Sequence, residues 1–280
     1  VLRTFGATRT LGTADFDRVM QLCADDPMTN VFVAARVQEG GLGFGTTLLG
    51  VEEAHRLKSM CWVSANVVPV ACDDDALDLF AARLKRQRRR VSSVFGDAEQ
   101  VLGLWDRLQR HWGEPRSLRP DQPMMAVRTS PAADGLALDP RVRRARLDEV
   151  DLVLPASAAM FTEEIGYPPY VGSDRDYRGL VGSLIRAGHT FVIVEDGRVL
   201  FKADIGSLAG GVAQIQGVWV APDARGQGIA APAMGAVVQQ VMDQVAPVVT
   251  LYVNGYNEPA LRAYRRAGFV QVGRFATVIL

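Results

Sequence analysis

The chain is poor in the residues that build metal centres and disulfide frameworks, with 3 cysteines and 3 histidines among 280 residues. Cys23, Cys61 and Cys72 are odd in number, sit at unrelated spacings and form no C-x-x-C pair, so neither a zinc site nor a disulfide scaffold is indicated. His55, His111 and His189 stand apart in the sequence, which argues against a metal role or a histidine relay. Net charge is absent as well. The 31 basic and 31 acidic residues cancel, so no global field draws the protein to nucleic acid or an anionic membrane. No apolar run approaches the roughly 18 residues of a membrane-spanning helix, and VLRTFGATRTLG, the first stretch, lacks the apolar block of a secretory signal. Reduced cysteines and no membrane segment make the cytoplasm the expected location, without nucleic-acid or membrane partners.

What is present is an ordinary globular composition, 48% hydrophobic and 22% charged, long enough for two domains. SPAADGLALDP, residues 130–140, has no periodicity and combines Pro, Gly and Asp as a linker does. It divides the chain into candidate domains 1–130 and 141–280. In the first, NVVPVAC reads as a buried strand, DDDALDLFAARLKRQRRR as a helix, VSSVFG as a strand and DAEQVLGLWDRLQRHW as a helix stopped by Gly113. In the second, VRRARL reads as a strand, and DEVDLVLPASAAMFTEEIG and DRDYRGLVGSLIRAG as helices ended by glycine. Strands HTFVIVEDG, RVLFKADIGS and GVAQIQGVWV follow, the first two joined at the turn signal Asp196-Gly197. A helix through Gln244, a strand VVTLYVN, a helix from Asn257 to Ala267 and strands from Phe269 onward complete the pattern. The shared strand-helix-strand-helix order predicts two copies of one α/β architecture, each a mixed sheet flanked by helices. The basic run RLKRQRRR ends a helix that opens with Asp73, Asp74 and Asp75, a charge order that complements the helix dipole, so it is assigned a structural role.

One stretch carries chemistry. VAPDARGQGIAA, Val220 to Ala231, joins a strand to a helix. Gly226 to Ala231 fits the dinucleotide pattern G-x-G-x-x-A, but Ala221 to Arg225 separate it from the strand, and the next strand ends in Asn254 instead of a ribose-binding acid. A P-loop is excluded because no Gly-Lys-Ser/Thr is present. Read one frame over, Arg225-x-x-Gly228-x-Ala230 ahead of a helix offers bare amides and a positive dipole end to an anion such as a pyrophosphate. Pro232 in the first helical turn costs no hydrogen bond there.

Val-Trp-Val-Ala-Pro followed by Arg-Gly-Gln-Gly-Ile-Ala, and downstream by Asn257-Glu-Pro-Ala-Leu-Arg-Ala-Tyr264-Arg-Arg-Ala-Gly-Phe269, resembles the GNAT superfamily of acetyl-coenzyme A-dependent N-acetyltransferases. The resemblance runs from about Val142 to Leu280. It implies that Val218, Trp219 and Val220 line the pantetheine arm through their backbone, that Arg225, Gly226, Gln227, Gly228, Ile229 and Ala230 hold the pyrophosphate, and that Asn257 contacts the cofactor arm or caps its helix. It implies Tyr264 as general acid beside the thioester sulfur, and acetyl-CoA as co-substrate without a metal. Gly217 inside the strand then marks a bulge or close approach.

The base is the gap. Many relatives carry a glutamate on this strand where Gln214 and Gln216 stand here, and an amide cannot accept the amine proton. Glu163 and Glu164, just before the Gly166-Tyr-Pro-Pro-Tyr170 loop, are the substitute candidates. That loop is expected to wall the acceptor. Asp204 reads by default as an exposed strand acid, with pairing to a cationic amine as its functional option. In the first half, Cys72 passes straight into aspartates that repel a pyrophosphate, so domain 1–130 is expected to be a degenerate GNAT-like copy, as in tandem members of the family. The expected activity is acetyl transfer from acetyl-CoA to a primary amine, of a small molecule or a peptide, by direct attack. The alternative is an acyl-CoA-binding sensor or scaffold without catalysis.

Overall fold

The computed structural model describes residues 8–40 and 45–280, so the first residues, on which the absence of a secretory signal is read, lie outside the described residues. The chain forms two compact units. The first takes Val1–Met125 together with Tyr252–Tyr256 and Gln271–Leu280; the second takes Ala126–Leu251 and Asn257–Val270. A cut at residues 130–140 therefore follows the chain but not the packing, because the last strand belongs to the first unit.

In the first unit, β1 (Arg9–Leu11), α1 (Phe16–Ala24), α2 (Val31–Gln38), β2 (Thr47–Glu53) and β3 (Arg56–Val63) come first. Next are β4 (Asn66–Val70), α3 (Asp74–Leu84), β5 (Ser93–Asp97), α4 (Ala98–Trp112) and β6 (Ser117–Val127). The sheet order is β1-β2-β3-β4-β5-β12-β6, with β12 the final strand (Val270–Ile279). β4 and β5 run parallel, and β12 pairs antiparallel with β5 from Phe275↔Asp97 to Ile279↔Ser93. One face of this sheet is sealed by the apolar stripes of α3 and α4, where Leu77, Phe80, Leu84, Leu104, Trp105 and Leu108 are buried.

The second unit holds β7 (Arg143–Arg144), α5 (Val150–Ile165), α6 (Arg175–Arg186), β8 (Thr190–Glu195), β9 (Arg198–Ala209), β10 (Val212–Val220), α7 (Ala230–Gln244), β11 (Val248–Tyr252) and α8 (Glu258–Arg266). Its strand order is β11-β10-β9-β8-β7, with only β10–β11 parallel. Both units run strand, helix, helix, three strands, helix, strand, helix, which is the expected α/β class with a mixed sheet and flanking helices in each half.

Three local expectations are corrected. The helix expected over 73–90 ends at Leu84, and Arg88–Arg90 form a separate 3-10 turn, because the chain must turn inward to bury Val91. The strand expected at VRRARL is only Arg143–Arg144, since the chain enters a 3-10 turn at Leu147. Residues 130–140 do not float as a linker. Leu136 and Leu138 pack on Gly235 of α7, where an added Cβ would meet Leu136 Cδ2 at 2.4 Å, and the Asp139 N–H donates to the Pro232 carbonyl. Two leucines in an otherwise small-residue stretch have apolar surface to hide, and α7 offers a groove of alanine and glycine. Among the described residues, no helix is long and apolar enough to cross a membrane, and no cluster of His, Cys, Asp and Glu has the makings of a metal site.

Candidate functional site

β10 begins as an interior strand and ends with one edge open. Its ladder with β9 extends from Val212↔Ala209 to Val220↔Phe201, whereas its parallel ladder with β11 stops at Gln214↔Thr250. From Ile215 to Val220 the β11 side of β10 has no strand partner among the described residues, which leaves backbone donors and acceptors for an extended ligand to pair with. Gly217 sits at the register shift between Gln216 and Trp219, with φ +59°. A Cβ at this bulge would stand 2.9 Å from Asp204 Oδ2 and 3.1 Å from Lys202 Nζ, so both the backbone conformation and the close approach require glycine.

Past Val220 the chain makes a 3-10 turn, Pro222–Ala224, and then places Gly226 (φ +77°) and Gly228 (φ +79°) in the left-handed region, with open space where a Cβ would point. α7 starts at Ala230 without a side-chain cap. Its first-turn amides and the positive end of its dipole therefore face outward from a loop whose residues 225–228 are exposed. The matching helix in the first unit differs. Asp73 caps α3, its side chain accepting the Ala76 N–H at 2.9 Å, and Asp74 and Asp75 occupy the first turn, so carboxylates already fill that helix end.

The loop is latched to α5. Arg225 donates through Nε to the Val220 carbonyl at 3.0 Å and through its terminal nitrogen to Glu163 Oε2 at 2.7 Å, while Trp219 Nε1 donates to Glu163 Oε1 at 3.2 Å. Both Glu163 oxygens are thus engaged by donors. Gln227 Nε2 donates to the Asp223 carbonyl, which closes the loop on itself. Asn257 caps α8, accepting the Ala260 N–H at 3.3 Å. Tyr264, in the last turn of α8, is buried, and burial raises its phenol well above the usual tyrosine value, with the nearby Glu164 charge adding to the effect. The phenol therefore carries its proton at neutral pH, the state that a general acid needs.

Asp204 is not the exposed strand acid of the sequence expectation. It is 5% exposed, with Oδ2 accepting from Lys202 Nζ at 2.5 Å, and Lys202, 1% exposed, donates also to the Gly217 carbonyl at 3.1 Å. The pair lies on the sheet face that packs α5 and α6, since Lys202 is opposite Val192 and Trp219 and both belong to that apolar layer. Over it stands an aromatic wall. The Phe161 ring lies 5.8 Å from Tyr167 and 6.1 Å from Tyr177, and Tyr170 lies 6.0 Å from Tyr177. The Tyr177 hydroxyl donates to the Ser157 carbonyl, and its phenol is pushed up to about 12 by burial, then by the Asp204 charge and Tyr170. Gln214 is buried, whereas Gln216 is exposed and folds over Gly206. Lys202 and Tyr177 belong to the candidate site and were not singled out from the sequence. The alternation Lys202-x-Asp204, which puts opposite charges on one face of an apolar strand, was the available signal.

An open strand edge, a left-handed glycine loop and an uncapped helix start thus follow one another along a mixed sheet. Residues 158–269 match the family model described as acetyltransferase (GNAT) family, and residues 46–153 match a model described only as a domain of unknown function, DUF4081. Residues 158–269 are thus an acetyltransferase (GNAT) family domain. Among curated proteins, the mycothiol acetyltransferase of Corynebacterium aurimucosum is 42% identical over 52 residues, 19% of this chain and only 17% of that protein's length. Among solved structures, a GNAT-family acetyltransferase from Colwellia psychrerythraea has TM-score 0.58 at 16% identity, covering 98% of this chain and 99% of that one. A tandem GNAT protein from the clavulanic acid biosynthesis pathway has TM-score 0.54 at 14% identity, covering 97% and 98%. These likenesses, which span nearly the whole chain, show that the fold is that of two GNAT-like domains.

Proposed function

We propose that the second unit binds acetyl-CoA and transfers its acetyl group to a primary amine by direct attack. The observation that carries this reading is the continuity of the open β10 edge with the glycine loop: an edge suited to an amide-bearing pantetheine arm leads straight to amides suited to a pyrophosphate. Backbone groups of Val218, Trp219 and Val220 align the arm. Amides of Arg225, Gly226, Gln227, Gly228, Ile229 and Ala230, assisted by the Arg225 charge, seat the pyrophosphate. A β10 amide beside the Gly217 bulge polarises the thioester carbonyl, and the Tyr264 hydroxyl protonates the departing sulfur. Asn257 acts as the α8 cap that presents Tyr264. Glu163 holds the Trp219–Arg225 corner, and burial, with the Glu164 charge adding to it, keeps Tyr264 protonated. The first unit, with Asp73 in place of a coenzyme loop, is a degenerate copy without coenzyme binding. The setting is cytoplasmic, in keeping with free cysteines.

Calorimetry with acetyl-CoA and thiol release with a panel of primary amines test this reading. Micromolar or tighter coenzyme binding and amine-dependent thiol release are expected. Binding without release from any amine leaves a coenzyme-binding sensor, and no binding removes the reading altogether. Tyr264→Phe is expected to lower turnover by roughly 10²–10⁴ with coenzyme affinity unchanged. Equal turnover removes Tyr264 from the mechanism.

A further inference from the structure

Among the described residues, five buried side-chain polar atoms have no hydrogen-bond partner: Arg144 Nε, Thr190 Oγ1, Asp204 Oδ1, Gln214 Nε2 and Thr250 Oγ1. Buried polar atoms are almost always satisfied, so their distribution is informative. All but Arg144 Nε lie on one strip of the second unit. Thr190 is the cross-strand partner of Asp204, and Thr250 is that of Gln214. Gln216 faces Asp204, and Gln214 follows on the same side of β10 by the two-residue alternation of a strand. The strip runs from the Gly217 bulge to the point where β10 and β11 part.

Asp204 Oδ1 is the one carboxylate oxygen among these atoms. Its geometry is fixed, because Lys202 holds the other oxygen at 2.5 Å and anchors itself on the Gly217 carbonyl. The carboxylate therefore stands against the bulge, its Oδ2 2.9 Å from where a Gly217 Cβ would be, and Met160 Cε of α5 lies 3.2 Å from the same position. An unsatisfied, nine-tenths buried carboxylate oxygen attracts a donor that brings positive charge, and the Gln214 amide nitrogen further along attracts an accepting oxygen. Of the aromatic cluster Phe161, Tyr170 and Tyr177, Tyr177 is near enough to feel the Asp204 charge, and its hydroxyl is spent on the Ser157 carbonyl.

We propose that Asp204 receives the ammonium group of the acceptor and takes its proton, and that Gln214 and Thr250, side by side on β10 and β11, hold an oxygen function on the same molecule, so that the acceptor is an oxygen-bearing primary amine. The inference rests on the acetyl-transfer reading for its chemistry. Asp204 Oδ1 takes one proton from R–NH₃⁺, and the freed lone pair forms the N–C bond at the thioester carbonyl. The C–S bond breaks with its electron pair on sulfur, which takes the Tyr264 proton. The second proton lost by the nitrogen restores Tyr264, and Asp204 returns its own to solvent. Lys202 is a positioning residue in this scheme, fixing the direction of Oδ1.

The test compares amino alcohols with n-alkylamines of equal length, by calorimetry in the presence of coenzyme A and by thiol release, on the wild type and Asp204→Asn. The asparagine keeps an oxygen for Lys202 and turns a donor toward the ammonium. The wild type is expected to bind amino alcohols at least tenfold tighter than the matched alkylamines, and equal affinity overturns the oxygen site. Asp204→Asn is expected to keep acetyl-CoA affinity within twofold, to weaken amine binding at least tenfold and to lower kcat at saturating amine by roughly 10²–10⁴. Unchanged amine affinity overturns the assignment, and weakened affinity with unchanged kcat overturns the proton transfer. If Asp204→Asn does not fold, Thr250→Val decides with the wild-type panel: a several-fold loss of amino alcohol affinity supports the oxygen site, and no loss overturns it. A wild type that releases no thiol from any amine removes the transfer reading, and the amine-binding arm still decides on the Asp204 pocket.

Discussion

Arg225 and Glu163, 62 residues apart in the chain, form an ion pair at 2.7 Å that fastens the glycine loop to the C-terminal end of α5. Both side chains are nearly half exposed, so the pair adds only about 0–1 kcal/mol to stability. Its expected weight is in the ligand. Arg225→Ala removes a positive charge from the loop and the tie to the Val220 carbonyl, and is expected to raise the acetyl-CoA Kd about tenfold while the melting temperature shifts little. A melting loss without an affinity loss would make the pair structural.

Gly228 holds φ +79° with open space around its Cβ position, so the cost of a side chain there is conformational and not steric. Gly228→Ala is expected to destabilise by about 1 kcal/mol. Gly228→Asn, which tolerates the left-handed region better, recovers most of that in denaturant titration. Both variants carry a Cβ, and both are expected to lose coenzyme affinity by calorimetry. Full affinity in either would show that no anion approaches this backbone.

Lys202 and Asp204 neutralise each other in a nearly dry site. Lys202→Met leaves the carboxylate buried without its partner and is expected to cost roughly 3–5 kcal/mol in urea unfolding, whereas the double change Lys202→Met with Asp204→Leu costs clearly less. Equal losses in the two proteins would mean that water reaches the carboxylate.

The Tyr177 phenol is pushed from the usual 10 to about 12, chiefly by burial. Because the folded value is the higher one, the contribution is fully present below pH 10 and is lost as the pH rises from 10 to about 12. Stability of the wild type is expected to fall across that window more steeply than that of Tyr177→Phe. Parallel pH curves for the two proteins would place the phenol in contact with solvent.

Asn257 accepts the Ala260 N–H at the start of α8. Asn257→Ala is expected to destabilise by about 1 kcal/mol, and Asn257→Asp, which restores the acceptor, by less. If the alanine variant also loses coenzyme affinity while the aspartate variant keeps it, the cap acts by presenting Tyr264. Loss of affinity in both would make the amide a direct ligand contact.

Much of the architecture is legible in the letters because it is local. Gly113, Gly166 and Gly188 end their helices in the left-handed region, as the glycine stops at these positions foretell. The dipeptide Asp196-Gly197 turns β8 into β9. The strands 9–11, 47–53 and 56–63 and the helices 16–24 and 31–38 receive no assignment from pattern, and β6 hides behind Pro120 and Pro123 in SLRPDQPMMAV, two residues that read as breakers. That strand lies beside β12, where tertiary pairing overrides the propensity of its residues.

By itself the sequence determined the glycine loop, because Gly226, Gly228 and the uncapped start of α7 act through backbone conformation, which is written in neighbouring residues. It likewise determined that the first half has no such loop, since Asp73 to Asp75 carry their charge wherever the helix goes. Only the tertiary structure decided what surrounds the side chains of the candidate site. Trp219 and Arg225 occupy Glu163, Lys202 buries with Asp204, and the last strand completes the sheet of the first unit. Such contacts join residues far apart in the chain or on facing strands. Their energies depend on burial and on cross-strand register, and neither exists until the sheet has formed.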